Sequence, residues 1–378
     1  MLNTMTETTR IYADAAAARP LSLEAKKAMI EALALFGNPG SLHKEGVAAK
    51  KLLESSRKAI ADTVGAASGY KTIFTSGGTE SCNMAITGVL ETYKKLNPHK
   101  KAHVVCSAIE HSAVLASLQA AGVAVTYVSP SAEGVVSAND MLKAITDDTV
   151  LVILMATNNE TGVHQEVTVL GKGLQRLDST VLFMCDASQA LGSIALDVRQ
   201  LHTDFLVLSA GKVGGPKGVG ALIMKDDIAF TPIIHGGGQE FGMRSGTERV
   251  AGAAAFAAAM KFQHVDTDVD TYFIDKLKQL APDAYVVGGM PGPHKKSGMH
   301  YVQFNDIDAE AFVLYMDARG IAVGTGAACD SQKKSGSHVL KAMGLREEGA
   351  IRFSFLPSVT KEEVDAVLQA IKEVLRSK

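Results

Sequence analysis

Tryptophan is absent from this chain, aromatic residues make up only 6% of it, and cysteine occurs four times in 378 residues. The cysteines, Cys82, Cys106, Cys185 and Cys329, lie far apart in sequence. No CxxC pair occurs, so the spacing of a zinc site is excluded. Neither sign of charge is in excess: the formal net charge is −2 and the pI about 6.6. That leaves no electrostatic reason to expect nucleic acid or an anionic membrane surface as a partner. Long hydrophobic runs are missing too. None approaches the ~18–20 residues of a transmembrane helix. The first twenty residues lack a basic start followed by an apolar core, and do not read as a secretory signal. Reduced thiols in a cytosol-like compartment, and so a cytoplasmic protein, are the expectation.

What is present is ordinary for a folded chain with a large core: 47% hydrophobic and 21% charged residues. The length suggests one large domain and a smaller one. From residue 70 the sequence alternates short apolar runs with helical patterns. The spacing predicts strands at 70–75, 103–107, 124–128, 150–155, 180–185, 204–208 and 219–224. Helices are predicted at 79–95, 111–121, 137–146 and 166–177, after earlier ones at 22–35 and 47–64. This alternation predicts an α/β domain with a mostly parallel sheet flanked by helices, over 11–255. The remainder, 256–378, has fewer strands (298–304, 320–323, 350–355) and helices at 308–318 and 361–376. It reads as a smaller α+β domain, with the N-terminal segment free to pack against it.

Chemistry concentrates at the predicted strand ends. TSGGTESCN, 75–83, sets Gly78 and Thr79 between a strand and a helix, where backbone N–H groups and the helix dipole bind phosphate; a plain threonine-capped loop is the other reading. EHSAV, 110–114, puts His111 at a strand-to-helix junction, able to stack on a flat ring or move protons, or simply to cap the helix. MATNNETGV carries Asn158 and Asn159 on what is otherwise a turn. CDASQ ends an apolar run in Asp186, a carboxylate that needs a partner if buried. SAGKVGGPKGVG offers Lys212 after another strand. A lysine there can pair with a phosphate or form an imine with a carbonyl cofactor, and a nearby acid points to pyridoxal phosphate (PLP). The glycine-rich HGGGQEFGMRSGTERV, 235–250, is a second phosphate-contacting loop or a mobile surface loop. Cys329, on a loop of small and polar residues near Lys333 and Lys334, is either a nucleophile or an exposed thiol. Arg352, in an apolar strand, is set up for carboxylate recognition or for a structural ion pair.

The order of these motifs, together with GNPGSLH at 37–43, resembles the cysteine desulfurases, in the class V aminotransferase branch of fold-type I PLP enzymes. The resemblance spans about 11 to 376. It implies that Lys212 forms the imine with PLP and that Asp186 pairs with the ring nitrogen. Gln189 and Asn159 would contact the ring oxygen, His111 would stack on the ring, and Gly78, Thr79 and Ser209 would hold the phosphate. Thr247 matches a residue reaching the phosphate of the other subunit, which implies a homodimer. Asn38 and Arg352 match residues that hold the substrate carboxylate. Cys329 matches the cysteine that takes sulfur from L-cysteine as a persulfide and passes it to an acceptor or scaffold protein, for iron–sulfur clusters or thio-modification. The chain departs from the family at Gly211, where histidine usually precedes the lysine. One phosphate-side donor is thereby missing, at a cost on the order of 1–3 kcal/mol of cofactor binding unless another group replaces it. Ala15 to Pro20 and Cys82 also differ from the family pattern. Two alternatives follow: a related lyase or aminotransferase, such as a selenocysteine lyase, or a catalytically weakened homologue acting as a binding partner.

Overall fold

A computed structural model describes residues 10–177, 180–260, 267–326 and 336–376. In chain order its elements begin with β1 (Ile11–Tyr12), α1 (Leu23–Leu33), α2 (Lys44–Thr63), β2 (Tyr70–Thr75), α3 (Gly78–Leu96), β3 (His103–Ser107), α4 (Ser112–Ala121) and β4 (Ala124–Val128). Then come α5 (Ala138–Lys143), β5 (Thr149–Ile153), α6 (Val167–Arg176), β6 (Leu182–Asp186), α7 (Val198–Leu201), β7 (Phe205–Ser209), β8 (Gly220–Lys225) and α8 (Val250–Ala259). The last are α9 (Thr267–Leu280), β9 (Tyr285–Val287), β10 (Met299–Gln303), α10 (Ala309–Ala318), β11 (Ile321–Ala322), α11 (His338–Ala342), β12 (Ala350–Ser354) and α12 (Lys361–Arg376). The chain divides into two compact units, one drawn from 18–158 and 164–263, the other from 1–17, 159–163 and 264–378.

The larger unit is built on a seven-stranded sheet in the order β2-β8-β7-β6-β5-β3-β4. Neighbours from β7 to β4 run parallel, while β8 is antiparallel to both β7 and β2. Strands β2, β3, β5, β6 and β7 therefore all end at one edge of the sheet. Their sequences explain their place: runs such as Leu151-Val152-Ile153 and Phe205-Leu206-Val207-Leu208 are wholly buried, as strands covered on both faces require. Ile73, Met84, Val104, Ile153, Met184 and Val207 belong to one apolar cluster under this sheet.

The smaller unit holds the antiparallel sheet β12-β10-β9 and the parallel pair β1-β11. Phe273, Phe312, Phe353 and Ile371 pack in its core. Segment 159–163 belongs to it although larger-unit sequence flanks it on both sides: Val163 bridges Lys295, and the Lys296 N–H donates to the Gly162 carbonyl at 2.8 Å.

The windows predicted at 70–75, 103–107, 124–128 and 361–376 coincide with β2, β3, β4 and α12. The division expected after residue 255 falls inside α8, which is buried through Gly252 to Phe256 and stays with the larger unit. Helix α9 was not anticipated. Its opening Thr-Asp-Val-Asp-Thr consists of poor helix formers, and packing of Phe273, Ile274 and Leu277 holds it instead.

Candidate active site

The strand ends bring Gly78, Thr79, His111, Asp186, Gln189, Ser209 and Lys212 to one edge of the larger unit's sheet. At the end of β2 the chain turns through Gly77 into α3, whose N-terminus has no side-chain cap. Its first N–H groups lack intrahelical partners and face outward with the positive end of the helix dipole. A Cβ built on Gly78 would lie 3.0 Å from Ser188 Oγ and 3.7 Å from Ser209 Cβ, so these three residues meet at one point. Gly220, between Thr75 and Ser209 in the sheet register, lets this turn close: a Cβ there would fall 2.7 Å from Gly77 Cα. Ser188 Oγ is buried and has no hydrogen-bond partner among the described residues. A buried orphan hydroxyl beside an uncapped helix start fits a phosphate, which would supply the missing acceptor. Thr79 is exposed on the first turn.

Asp186 is the last residue of β6 and is buried. Its Oδ1 accepts from the Ser188 N–H at 2.9 Å, and the Cys82 thiol lies 3.9 Å from Oδ2. A carboxylate so weakly satisfied suits a protonated ring nitrogen. Gln189 is buried three residues on. Ser209 ends β7, and a 3-10 turn, Ala210–Lys212, delivers Lys212 half-buried. Gly211 has room for a side chain, since only Lys217 Cγ, at 3.6 Å, lies near a Cβ there. The Arg19 N–H donates to the Gly211 carbonyl at 2.9 Å, and burial draws the Arg19 guanidinium below its ordinary pKa. His111 caps α4: its Nδ1 accepts from the Ala113 N–H at 3.1 Å, so the neutral ring carries its proton on Nε2.

Beside His111 lies Glu110, wholly buried, its Oε1 accepting from Ser107 Oγ at 2.6 Å and from the Met155 N–H at 2.7 Å. Burial pushes this carboxyl up to about 7; the Asp186 charge adds to the rise, and the hydrogen bonds from Ser107 and Met155 oppose it. A carboxyl raised from 4.5 holds its proton longer folded than unfolded, so stability is lost as pH rises between about 4.5 and 7. Glu110→Gln keeps an acceptor for both donors. It is expected to gain on the wild type as pH rises, by up to roughly 3 kcal/mol above pH 7. Urea unfolding at pH 5 and pH 8 checks this; a difference constant with pH would mean that Glu110 does not titrate in that range.

The remaining candidates are placed separately. Asn38 is exposed and its Oδ1 accepts from the Gly40 N–H at 2.8 Å. Thr247 is exposed, on a loop tied together by Gly246 N–H to Gln239 Oε1 at 2.9 Å. In the smaller unit, Asn159 Oδ1 is buried without a partner among the described residues. Arg352, 3% exposed, pairs with Asp14 at 2.9 Å and donates to the Asn159 carbonyl at 2.8 Å, so the ion pair allowed by the sequence is present. Cys329 lies outside the described residues. Glu110, Glu160, Ser188 and Arg19 escaped the sequence reading. The first two stand beside His111 and Asn159 within motifs already singled out.

Among the described residues no three His, Cys, Asp or Glu side chains are placed to hold a metal ion, and no helix is long and apolar enough to cross a membrane. The Aminotransferase class-V family model matches residues 11–367, and the chain belongs to that family. It is 36% identical over 380 residues to a protein named cysteine desulfurase IscS from Dictyoglomus turgidum, covering 97% of this chain and 94% of that one. Among solved structures it resembles a NifS-like protein, with a TM-score of 0.87, 31% identity, and coverage of 98% of this chain and 100% of the other. A structure described as SspA in complex with cysteine matches with a TM-score of 0.80 at 31% identity, over 93% of this chain and 100% of that one.

Proposed function

We propose that the protein is a PLP-dependent cysteine desulfurase that converts L-cysteine to L-alanine and holds the sulfur on Cys329 for an acceptor. The observation that carries this reading is the meeting of Asp186, Lys212, Ser209, Gly78 and His111 at one edge of the parallel strands. Lys212 would hold the coenzyme through its amine, and Asp186 would face the ring nitrogen. Gly78, Thr79 and Ser209 would hold the phosphate. Gln189 and Asn159 would serve the ring oxygen, and His111 the ring face. When bound, PLP supplies an electron sink for a carbanion at the substrate Cα.

The chain's own groups then have defined tasks. Lys212 Nζ takes the Cα proton and returns a proton to carbon. Asn38 and Arg352 are assigned the substrate carboxylate. The Cys329 thiolate attacks the substrate sulfur: an S–S bond forms, the Cβ–S bond breaks, and its electron pair stays on carbon, which is protonated to give alanine. Cysteine plus thiol thus becomes alanine plus persulfide, with no external oxidant or reductant. The exposed Leu23, Ile30 and Leu33 of α1, with Phe36 at 84% and Leu42 at 97% exposure, support a homodimer, since apolar surface of this extent is commonly covered by a partner. Thr247 would reach the partner's phosphate. We assign the protein to the cytoplasm and the persulfide to a scaffold or acceptor protein, for iron–sulfur clusters or thio-modification.

The test is alanine and protein persulfide formed from L-cysteine with PLP present. Cys329→Ala is expected to form no persulfide and to lose at least about 100-fold in alanine turnover, while keeping the visible absorbance band of the bound coenzyme. Wild-type rates of sulfide release from that variant would sink the assignment of Cys329.

A further inference from the structure

The turn that opens α3 carries a negative charge of its own. Glu80 is the third residue of the helix, and its Oε2 accepts from the Ser76 N–H at 2.8 Å, just before Gly77 and Gly78. Arg244 grips the same carboxylate from the glycine-rich loop: its Nε lies 2.7 Å from Oε1 and its Nη2 3.3 Å from Oε2. The Arg244 and Glu80 side chains are only 24% and 13% exposed, so salt and water screen the pair poorly. Burial alone would raise the Glu80 pKa, but the hydrogen bonds from Arg244 and Ser76 hold it below its ordinary value. The carboxylate is therefore charged at neutral pH, and Arg244 is its cation. Glu240, whose charge also acts on Arg244, is already paired with Arg57.

The glycine-rich loop has backbone ties that do not use the guanidinium. Ile234 and Arg244 form a backbone bridge, the Ser245 N–H donates to the Ile234 carbonyl at 3.2 Å, and the Gly238 N–H to Ser245 Oγ at 3.3 Å. Ser76, Gly218, Arg244 and Thr247 line a cleft of about 120 Å³ at this end of the helix. The same helix start, with the Ser188 hydroxyl beside it, is assigned to the coenzyme phosphate. Two anions share one helix end only at a cost. Like charges a few ångströms apart repel strongly enough to lower affinity by about 10-fold or more.

We propose that Arg244 is a positioning residue for the coenzyme phosphate: by pairing with Glu80 it cancels the carboxylate charge at the helix end that receives the anion. The proposal rests on the reading of the α3 start as the phosphate site. Arg244→Met is expected to weaken binding of PLP and of inorganic phosphate to the coenzyme-free protein by about 10- to 100-fold. Adding Glu80→Gln to that variant should bring both affinities back to within about threefold of wild type, because the unopposed charge is gone. Glu80→Gln alone keeps an acceptor for the Ser76 N–H and leaves Arg244 unopposed, so it should bind phosphate about threefold more tightly than wild type. Pyridoxal, which lacks the phosphate, should bind all four proteins alike, within about twofold. Titration of the visible band for PLP and pyridoxal, and calorimetry for inorganic phosphate, read these affinities without turnover. Wild-type affinities in Arg244→Met overturn the proposal. So does a loss shared equally by pyridoxal, a failure of Glu80→Gln to restore the double variant, or weaker phosphate binding in Glu80→Gln alone, since each marks a purely structural tie. A wild type that binds neither PLP nor phosphate removes the phosphate site itself, and the proposal falls with that reading.

Discussion

Replacing Lys212 by alanine should abolish alanine formation from L-cysteine, by at least about 10³-fold, and remove the visible band of the bound coenzyme. The turn that carries Lys212 is held by backbone: Ala210 N–H to the Val219 carbonyl at 3.1 Å, and Gly215 N–H to the Ala210 carbonyl at 2.9 Å. Neither bond involves the lysine side chain, so the variant should fold, with a thermal midpoint matching that of the coenzyme-free wild type. Lys212→Arg should fare no better, because a guanidinium stays protonated and offers no nucleophilic nitrogen. Coenzyme absorbance, alanine yield and thermal unfolding on the three proteins check this. A Lys212→Ala protein retaining more than about a tenth of wild-type turnover would take the lysine out of the chemistry.

The second large effect concerns stability. Arg57 Nη1 lies 2.5 Å from Glu240 Oε2, and Arg57 Nη2 3.0 Å from Oε1, a two-pronged pair between side chains that are both largely buried. Glu240 Oε2 also accepts from the Phe74 N–H at 2.8 Å, one residue before the end of β2. Burial alone would lower the Arg57 pKa, but the Glu240 and Glu54 carboxylates more than offset it, and the guanidinium stands above its ordinary value. Glu240→Ala takes from Arg57 its buried carboxylate partner, leaving only the half-exposed Glu54, and leaves the Phe74 N–H without its acceptor. The expected loss is about 3–5 kcal/mol, read as a fall of roughly 10 °C in Tm at pH 7. Because β2 leads directly into Gly77 and Gly78, weaker PLP retention should accompany it. A loss below about 1 kcal/mol would mean the pair contributes no more than an exposed one.

Much of this site could be read from the letters, for a specific reason. Asp186, Ser209, Lys212 and His111 each close an apolar run or open a helix, and strand ends of a parallel sheet share an edge whatever the details. Gly78 stands out as a glycine between a strand and a helix start, although a plain threonine-capped loop has the same letters. Glu110, Ser188 and Glu160 lie within these motifs without standing out from their neighbours. Their importance lies in burial and in which atoms they meet, and neither has a local sequence signature. Arg57 and Glu240, separated by 183 positions, carry no mutual signal at all. The same holds for β1, two residues long and paired with Ile321–Ala322. In the smaller unit, the sequence allowed Arg352 an ion pair or a ligand contact, and the structure adds the pair with Asp14, a partner that no motif announces.

The smaller unit is assembled from three separate pieces of chain, 1–17, 159–163 and 264–378. During synthesis the first piece emerges early, and the five-residue strap follows with nothing yet made for either to join. The sheet from β2 to β8 can be completed while Asn159 and Glu160 wait. Only when β10, α11 and β12 leave the ribosome do the strap's carbonyls and carboxylate find Arg352, Lys296 and Ser337. Asn159, assigned to the ring oxygen, and Glu160 beside it are therefore among the last to acquire their partners. A nascent chain stalled before residue 264 carries a finished sheet and an unfinished enzyme.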